Sequence, residues 1–333
     1  MNNNTNEYNQ HSQELTYRLD TMTDKVNEAC TKLELYIDNN YYDAVKSKTV
    51  GDFVLNYDKK TLILYNGYAT KIGPGSYNDA KFPDGIIIIG DKAFNGRIPL
   101  TSIIIPNSVT TIDNLAFGNC FNLTSITLPI NNNFTTIGEQ AFENCSALTS
   151  IIIPNSVTTI GDLAFYNCSA LTSIIIPNSV TTIGIRAFYN CSALTSITFA
   201  TTIKIISIKN RQTPTIIPSS VTTIGIRAFE NCSALTSIEI PSSVTTIGEK
   251  AFLNCEKLTS ITFSANSQLI TIGNYAFEKC KKLTSIIIPS SVTTIGNDAF
   301  NNSSKLTIYI PSGNSKLMEY LIKANKNYKL QGY

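Results

Sequence analysis

Nine Ala-Phe pairs punctuate this 333-residue chain, with the Phe at positions 94, 117, 142, 165, 188, 229, 252, 277 and 300, so the successive intervals are 23, 25, 23, 23, 41, 23, 25 and 23. A unit of that size cannot bury an apolar face alone. Self-similarity at a fixed period is the signature of a solenoid, in which each unit stacks on the next and the stack shares one core.

Two neighbouring units, residues 145–167 and 168–190, differ only where Asp162-Leu163 is replaced by Ile185-Arg186. The unit therefore reads Leu-Thr-Ser-Ile-x-Ile-Pro, then Asn/Ser-Ser-Val-Thr-Thr-Ile-Gly, then x-x-Ala-Phe-x-Asn-Cys. Its first part is β-branched and alternating, and its closing Pro has no N–H to continue a ladder, which predicts short strands at about 148–153, 171–176 and their equivalents. Val-Thr-Thr-Ile predicts a second, shorter strand, and the Gly after it is expected to supply a positive φ at a corner, with Asp113 as the exception. The Ala-Phe stretch is too short for an independent helix, so one helical turn anchored by a buried Phe is expected.

Seven of the eight cysteines (Cys120, Cys145, Cys168, Cys191, Cys232, Cys255 and Cys280) share one slot of the unit. They lack the paired spacing of a metal site and the small coreless setting of a disulfide framework, so they read as an inert internal ladder of small hydrophobes. Asn144, Asn167, Asn190 and Asn231 each precede Cys-Ser and formally match a glycosylation acceptor. An Asn at a structural joint of every coil is better accounted for by hydrogen bonding at the turn.

With 15% charged residues and a net charge of +2, the chain has no concentrated basic footprint, and nucleic acid is not an expected partner. The start, MNNNTNEYNQHSQEL, has neither a cationic nor an apolar segment of a secretory signal, and no run of 18 apolar residues follows. The expectation is a cytoplasmic or virion-associated protein, reaching a cell surface only by an unrecognised route.

Four regions follow: a polar leader and heptad helix at 1–40, a hairpin and capping region at 41–81, the solenoid at 82–311, and a closing helix and tail at 312–333. In the first, Leu15, Met22, Ala29 and Tyr36 share one heptad position and Leu19, Val26 and Leu33 the other. Either a coiled-coil seam for oligomerisation or a single amphipathic cap helix would use that pattern. Residues 51–57 and 61–65 read as a β-hairpin. Lys316 to Ala324 reads as a helix with Leu317, Leu321 and Ile322 facing the last coil. The 41-residue interval holds 18 extra residues near Thr201 to Pro218 and is read as a decayed coil, a projecting loop being the alternative.

Chemistry is scarce. The one His, His11, lies in the leader, which removes most Ser/His, Cys/His and His-metal machinery. Gly85-IIII-Gly90-Asp91-Lys92 fails as a phosphate loop because its linker is four isoleucines and Asp precedes the Lys. Carboxylates are scattered, with no convergent pair for acid/base work. No enzyme, cofactor or metal is expected.

What remains is surface. In Leu-Thr-Ser-Ile-x-Ile the Leu and flanking Ile point inward, so Ser and x point out. The x column reads Ile104, Thr127, Ile152, Ile175, Thr198, Glu239, Thr262, Ile287 and Tyr309. An exposed apolar row on a solenoid is a usual place for a partner, and β-propensity duplicated with the repeat would produce the same row.

The consensus LTSIxIPxSVTTIGxxAFxNC, over roughly residues 82–311, resembles the BspA-like (treponemal-type) leucine-rich repeat family. That resemblance implies an α/β repeat solenoid: a right-handed coil with a parallel sheet on its concave face, here preceded by an N-terminal helix and β-hairpin. It also implies a non-enzymatic recognition or adhesion scaffold that binds a protein or glycan, as the surface adhesins of the family do. The heptads and the absent signal suggest an alternative, a structural virion or fibre subunit that oligomerises or docks through residues 1–80 and displays the solenoid.

Overall fold

The computed structural model describes residues 53–55, 61–65, 71–72, 81–200, 202–208, 211–217, 220–303, 306–314, 317–319, 321 and 329–332, with 202–217 described by backbone alone. The expected heptad helix, with Leu15, Leu19, Met22, Val26, Ala29, Leu33 and Tyr36, lies outside these residues.

The chain winds into a parallel β-solenoid of stacked coils, and the shortest strands make its longest sheet. Two-residue Thr-Ile strands from Thr111–Ile112 to Thr294–Ile295 stack in register through Thr136↔Thr159, Thr182↔Thr223 and Thr271↔Thr294. With Ile88–Ile89 and the antiparallel pair Phe53–Leu55 and Thr61–Tyr65 at one end, they form one 11-stranded sheet. Each such strand buries its Ile and leaves its Thr partly or fully exposed, as alternation on a pleated strand requires.

The Leu-Thr-Ser-Ile-x-Ile strands form three separate sheets instead of one. Their members are Lys71–Ile72, Ser102–Ile104 and Ser125–Thr127; then Ser173–Ile176, Ser196–Phe199, Ser237–Ile240 and Ser260–Phe263; then Ser285–Ile287, Thr307–Ile310 and Lys329–Gly332. The expected strand at 148–153 is missing although its sequence matches 171–176. Each break follows one of the two 25-residue units, whose two extra residues enter just after the long strand. At the first break the Thr149 N–H lies 3.5 Å from the Thr124 carbonyl, against 3.1 Å for Thr172 to Thr149 in the next coil.

The core is a column of stacked rings. From Phe94 to Phe300 successive Phe centroids lie 5.0 to 5.6 Å apart with interplanar angles of 4 to 13°. Tyr65 and Phe53 continue the column in tilted contacts. The Phe rings, the Ala beside them, the repeat Leu and Ile, and the seven cysteines are all buried. Full burial of one such ring contributes about 1.5–3 kcal/mol, and each ring is shared by two neighbours.

Helix is almost absent from the described residues, which corrects the α/β expectation, and the Ala-Phe stretch is no helical turn. It is a ribbon of successive tight turns: the N–H groups of Ala141, Glu143 and Cys145 bond three residues back, while those of Gln140, Phe142 and Asn144 bond carbonyls of the next coil at 2.7 to 2.9 Å. Helical geometry would have satisfied these groups within one coil. From the second coil to the last, two residues per coil take left-handed φ of +53 to +63°, such as Leu163 and Asn167. That conformation costs a non-glycine residue about 1–2 kcal/mol, and the forward bond from Leu163 N to Ile185 O at 2.8 Å opposes the cost.

The corner glycines are needed for a different reason from the one expected. Among the described glycines only Gly85 and Gly96 have positive φ. A Cβ on Gly161 would instead lie 2.8 Å from backbone atoms of Gly138 and Glu139 in the preceding coil, so the glycines let the coils close on one another.

The 41-residue interval is not a decayed coil. Thr202–Ile208 and Arg211–Ile217 pair antiparallel with each other, from Thr202↔Ile217 to Ile208↔Arg211, and with no other strand among the described residues. The coils close across this insertion: Ile183 pairs with Ile224, Ser196 with Ser237, and Phe188 stacks on Phe229 at 5.2 Å. Seven-residue strands exceed the four a coil can use, so they satisfy each other's backbone groups.

At the far end residues 317–319 and 321 are helical, with Leu317 and Leu321 buried; Ile322 lies outside the described residues. Lys329–Gly332 then adds a parallel strand to Thr307–Ile310, in a segment where the sequence predicts only a tail.

Candidate interaction face

Along each long strand the Ser and x side chains face outward while the flanking Ile are buried, as in Ser173–Ile176 and Ser237–Ile240. The Thr preceding the Ser is also exposed, but its hydroxyl is used within the solenoid: Thr195 and Thr259 donate to Thr172 and Thr236 carbonyls at 2.9 Å. Ser and x are therefore the positions left for contact.

The sheets bring the x residues side by side. Ile104 pairs with Thr127, Ile175 with Thr198, Glu239 with Thr262, and Ile287 with Tyr309. Ile152 is 85% exposed, Ile175 61% and Ile287 58%, against 39% for Ile104. Ile152 and Ile175 belong to adjacent coils, whose Phe165 and Phe188 rings stack at 5.1 Å. Tyr309 is only half-buried, covered on one side by the strand at Lys329–Gly332.

The unit length creates features that residue type alone does not announce. Beside the first long unit, Ile130 stands 78% exposed over a groove of about 460 Å³ lined by Phe82, Ile104, Thr127 and Leu128. Beside the second, a groove of about 560 Å³ is lined by Ser260, Thr262, Ser264, Asn266, Ser285 and Ile287. A second apolar pair, Ile185 and Ile226, lies on neighbouring coils at 43% exposure each. Other coils place Asp, Asn or Glu there, and the side chains of Asn114, Asp162 and Asn274 accept from the next coil, as Asp162 Oδ1 does from Ile185 N at 2.7 Å.

The conserved-looking polar slots inside the repeat are structural. Asn Nδ2 donates to the preceding Asn Oδ1 at 2.8 Å from Asn144 through Asn190, which leaves these amides committed and argues against their use as glycan acceptors. Burial pushes the Cys120 thiol up to about 12 and the other six up as well. Glu230 is the only buried charged side chain among the described residues; burial raises its carboxyl above the usual range, opposed by Arg227 at 3.6 Å. No group of His, Cys, Asp and Glu able to hold a metal occurs among the described residues, and no described helix is long and apolar enough to cross a membrane.

A family model for the BspA type leucine-rich repeat region matches residues 74–195 and 209–329 in six copies. The chain belongs to the BspA-type leucine-rich repeat family. The gap in the match falls over the first strand of the inserted hairpin. A leucine-rich repeat protein from Bacteroides ovatus is 25% identical, with 85% of this chain and 73% of that one covered and a TM-score of 0.56. A leucine-rich repeat protein from Eubacterium ventriosum is 28% identical over 66% and 63% of the two chains, with a TM-score of 0.48. A leucine rich cell surface protein from Faecalibacterium prausnitzii is 27% identical over 86% and 95%, with a TM-score of 0.39. A search of curated proteins finds no match. As a BspA-type repeat protein the chain is a scaffold suited to protein binding or adhesion.

Proposed function

We propose that this protein is a non-enzymatic recognition scaffold that binds a protein partner through the outward row of x residues, centred on Ile152 and Ile175. The observation that carries the reading is the exposure of two large apolar side chains at the same repeat position of adjacent coils, 85% and 61%, on a surface whose neighbouring Thr and Ser are uncharged. Interface centres are depleted in charge and enriched in apolar contact, and rigid stacked coils hold such a row with little ordering cost on binding.

The test compares the full chain with an Ile152→Glu/Ile175→Glu variant against a panel of purified extracellular-matrix and cell-surface proteins. Both positions are exposed, so the variant keeps its circular dichroism and melting temperature. A partner captured by the parent is lost by the variant, with binding weakened at least about 30-fold if the row is the centre of the interface. Undiminished binding by the folded variant removes this face from consideration.

A further inference from the structure

The two grooves beside the 25-residue units share one construction and differ in chemistry. The first is walled mainly by Phe82, Ile104, Leu128 and Ile130, with Lys81, Asn107 and Thr127 as its polar members, and is predominantly apolar. The second is walled by hydroxyl and amide groups from Ser260, Thr262, Ser264, Asn266 and Ser285, with no Lys, Arg or His among its lining residues. The extra length of a unit opens a groove, and the side chains decide what enters it. We propose that the second groove is a binding site for a neutral saccharide.

Its volume of about 560 Å³ falls within the range of small-molecule sites. Ile287, 58% exposed, and the half-buried Phe263 supply an apolar platform of the kind the C–H face of a sugar ring covers. Around it the hydroxyls of Ser260, Thr262 and Ser285 and the Asn266 amide can each both donate and accept, which matches the alternating demands of a polyol. Glu239, beside the groove on the strand that pairs with that of Thr262, accepts from Ser264 Oγ at 2.8 Å and so turns the free lone pairs of that hydroxyl outward as acceptors. The absence of cations from the wall, together with Glu239, disfavours sulfated or phosphorylated ligands.

The site is also preformed. Ser264 N bonds Ile240 O at 2.9 Å, Gln268 N bonds Ser242 O at 3.0 Å and Leu269 N bonds Ser267 Oγ at 3.3 Å, so the extra residues are tied to the preceding coil or to one another. Asn266 turns the chain between them with φ of 58°. A loop held in this way loses little freedom when a ligand binds.

The experiment titrates the full chain with neutral oligosaccharides built from hexoses and N-acetylhexosamines, and with their sulfated counterparts, by saturation-transfer NMR and calorimetry. Two variants probe the groove: Asn266→Gly, which removes the amide and tolerates the left-handed φ, and Ser285→Arg, which fills the groove with a cation. At least one neutral oligosaccharide is expected to bind, each variant to weaken it about tenfold or more, and the sulfated counterpart to bind no better. Binding that survives in the Ile152→Glu/Ile175→Glu protein separates this site from the protein-binding row. The proposal is overturned if no neutral oligosaccharide binds, if both variants bind as the parent does, or if the sulfated ligands bind more tightly.

Discussion

The Sγ of Cys168 lies 3.2 Å from the carbonyl oxygen of Phe142 in the preceding coil, a contact repeated from Cys120 to Cys280 at 3.1 to 3.5 Å. Each thiol is thus a buried donor bridging two coils, and burial raises its pKa above the ordinary value of 9.0. The folded state holds these protons while the unfolded chain releases them near pH 9. The stability they contribute is therefore fully present below pH 9 and is lost as pH rises beyond it. With about 1.4 kcal/mol per pH unit for each group, seven thiols give a limiting slope of about 10 kcal/mol per pH unit. Urea midpoints should be level between pH 7 and 8.5 and fall steeply by pH 10. A midpoint that holds to pH 10.5 contradicts the buried-thiol ladder.

Gly161 and Gly96 should respond to alanine for opposite reasons. At Gly161 the new Cβ meets the preceding coil's backbone at 2.8 Å, so Gly161→Ala forces two coils apart and should cost about 1–3 kcal/mol. At Gly96 nothing lies within 4 Å and the cost comes from φ of +70°, about 1 kcal/mol for Ala and less for Asn. Chemical denaturation of Gly161→Asn and Gly96→Asn distinguishes the two: only the second should be rescued by Asn.

Deleting residues 201–218 restores the 23-residue spacing between Phe188 and Phe229. Because both the Thr-Ile ladder and the Phe stack already close across the insertion, the shortened chain should fold with a stability within about 1 kcal/mol of the parent. Loss of a cooperative thermal transition would show that the hairpin supports the coils on either side.

Alternation alone made the x row and the buried Ile legible, because side chains on a strand change faces at every residue and the repeat supplies nine readings of the same choice. The Phe column and the cysteine ladder were legible from recurrence in the repeat alone, since both lie in or beside the ribbon of turns, where alternation does not apply. The reason for the corner glycines was hidden, since the approach of Gly161 to Gly138 is a distance between coils and leaves no mark within one unit. The absence of a strand at 148–153 was hidden too: its own residues match those of 171–176, and the cause lies in the longer unit before it. The grooves were written in the intervals of 25, which record where extra chain enters but not which walls it raises. For the inserted segment, alternation in Thr202–Ile208 was a true sign of a strand and a false sign of a coil, since period two does not specify the partner.

The ribbon of turns sets two opposed hydrogen-bonding directions within each coil. Three peptide groups of the ribbon point their N–H toward the following coil, as Phe142 to Ala164 and Asn144 to Tyr166 illustrate, whereas strand and corner groups such as Thr158 to Thr135 and Gly161 to Ile137 point theirs toward the preceding one. Peptide dipoles of opposite sense offset one another, so the stack carries little net dipole along its length, as a sheet does. Each inner coil therefore donates to and accepts from both of its neighbours, and cutting the stack anywhere leaves donors and acceptors exposed on both new faces.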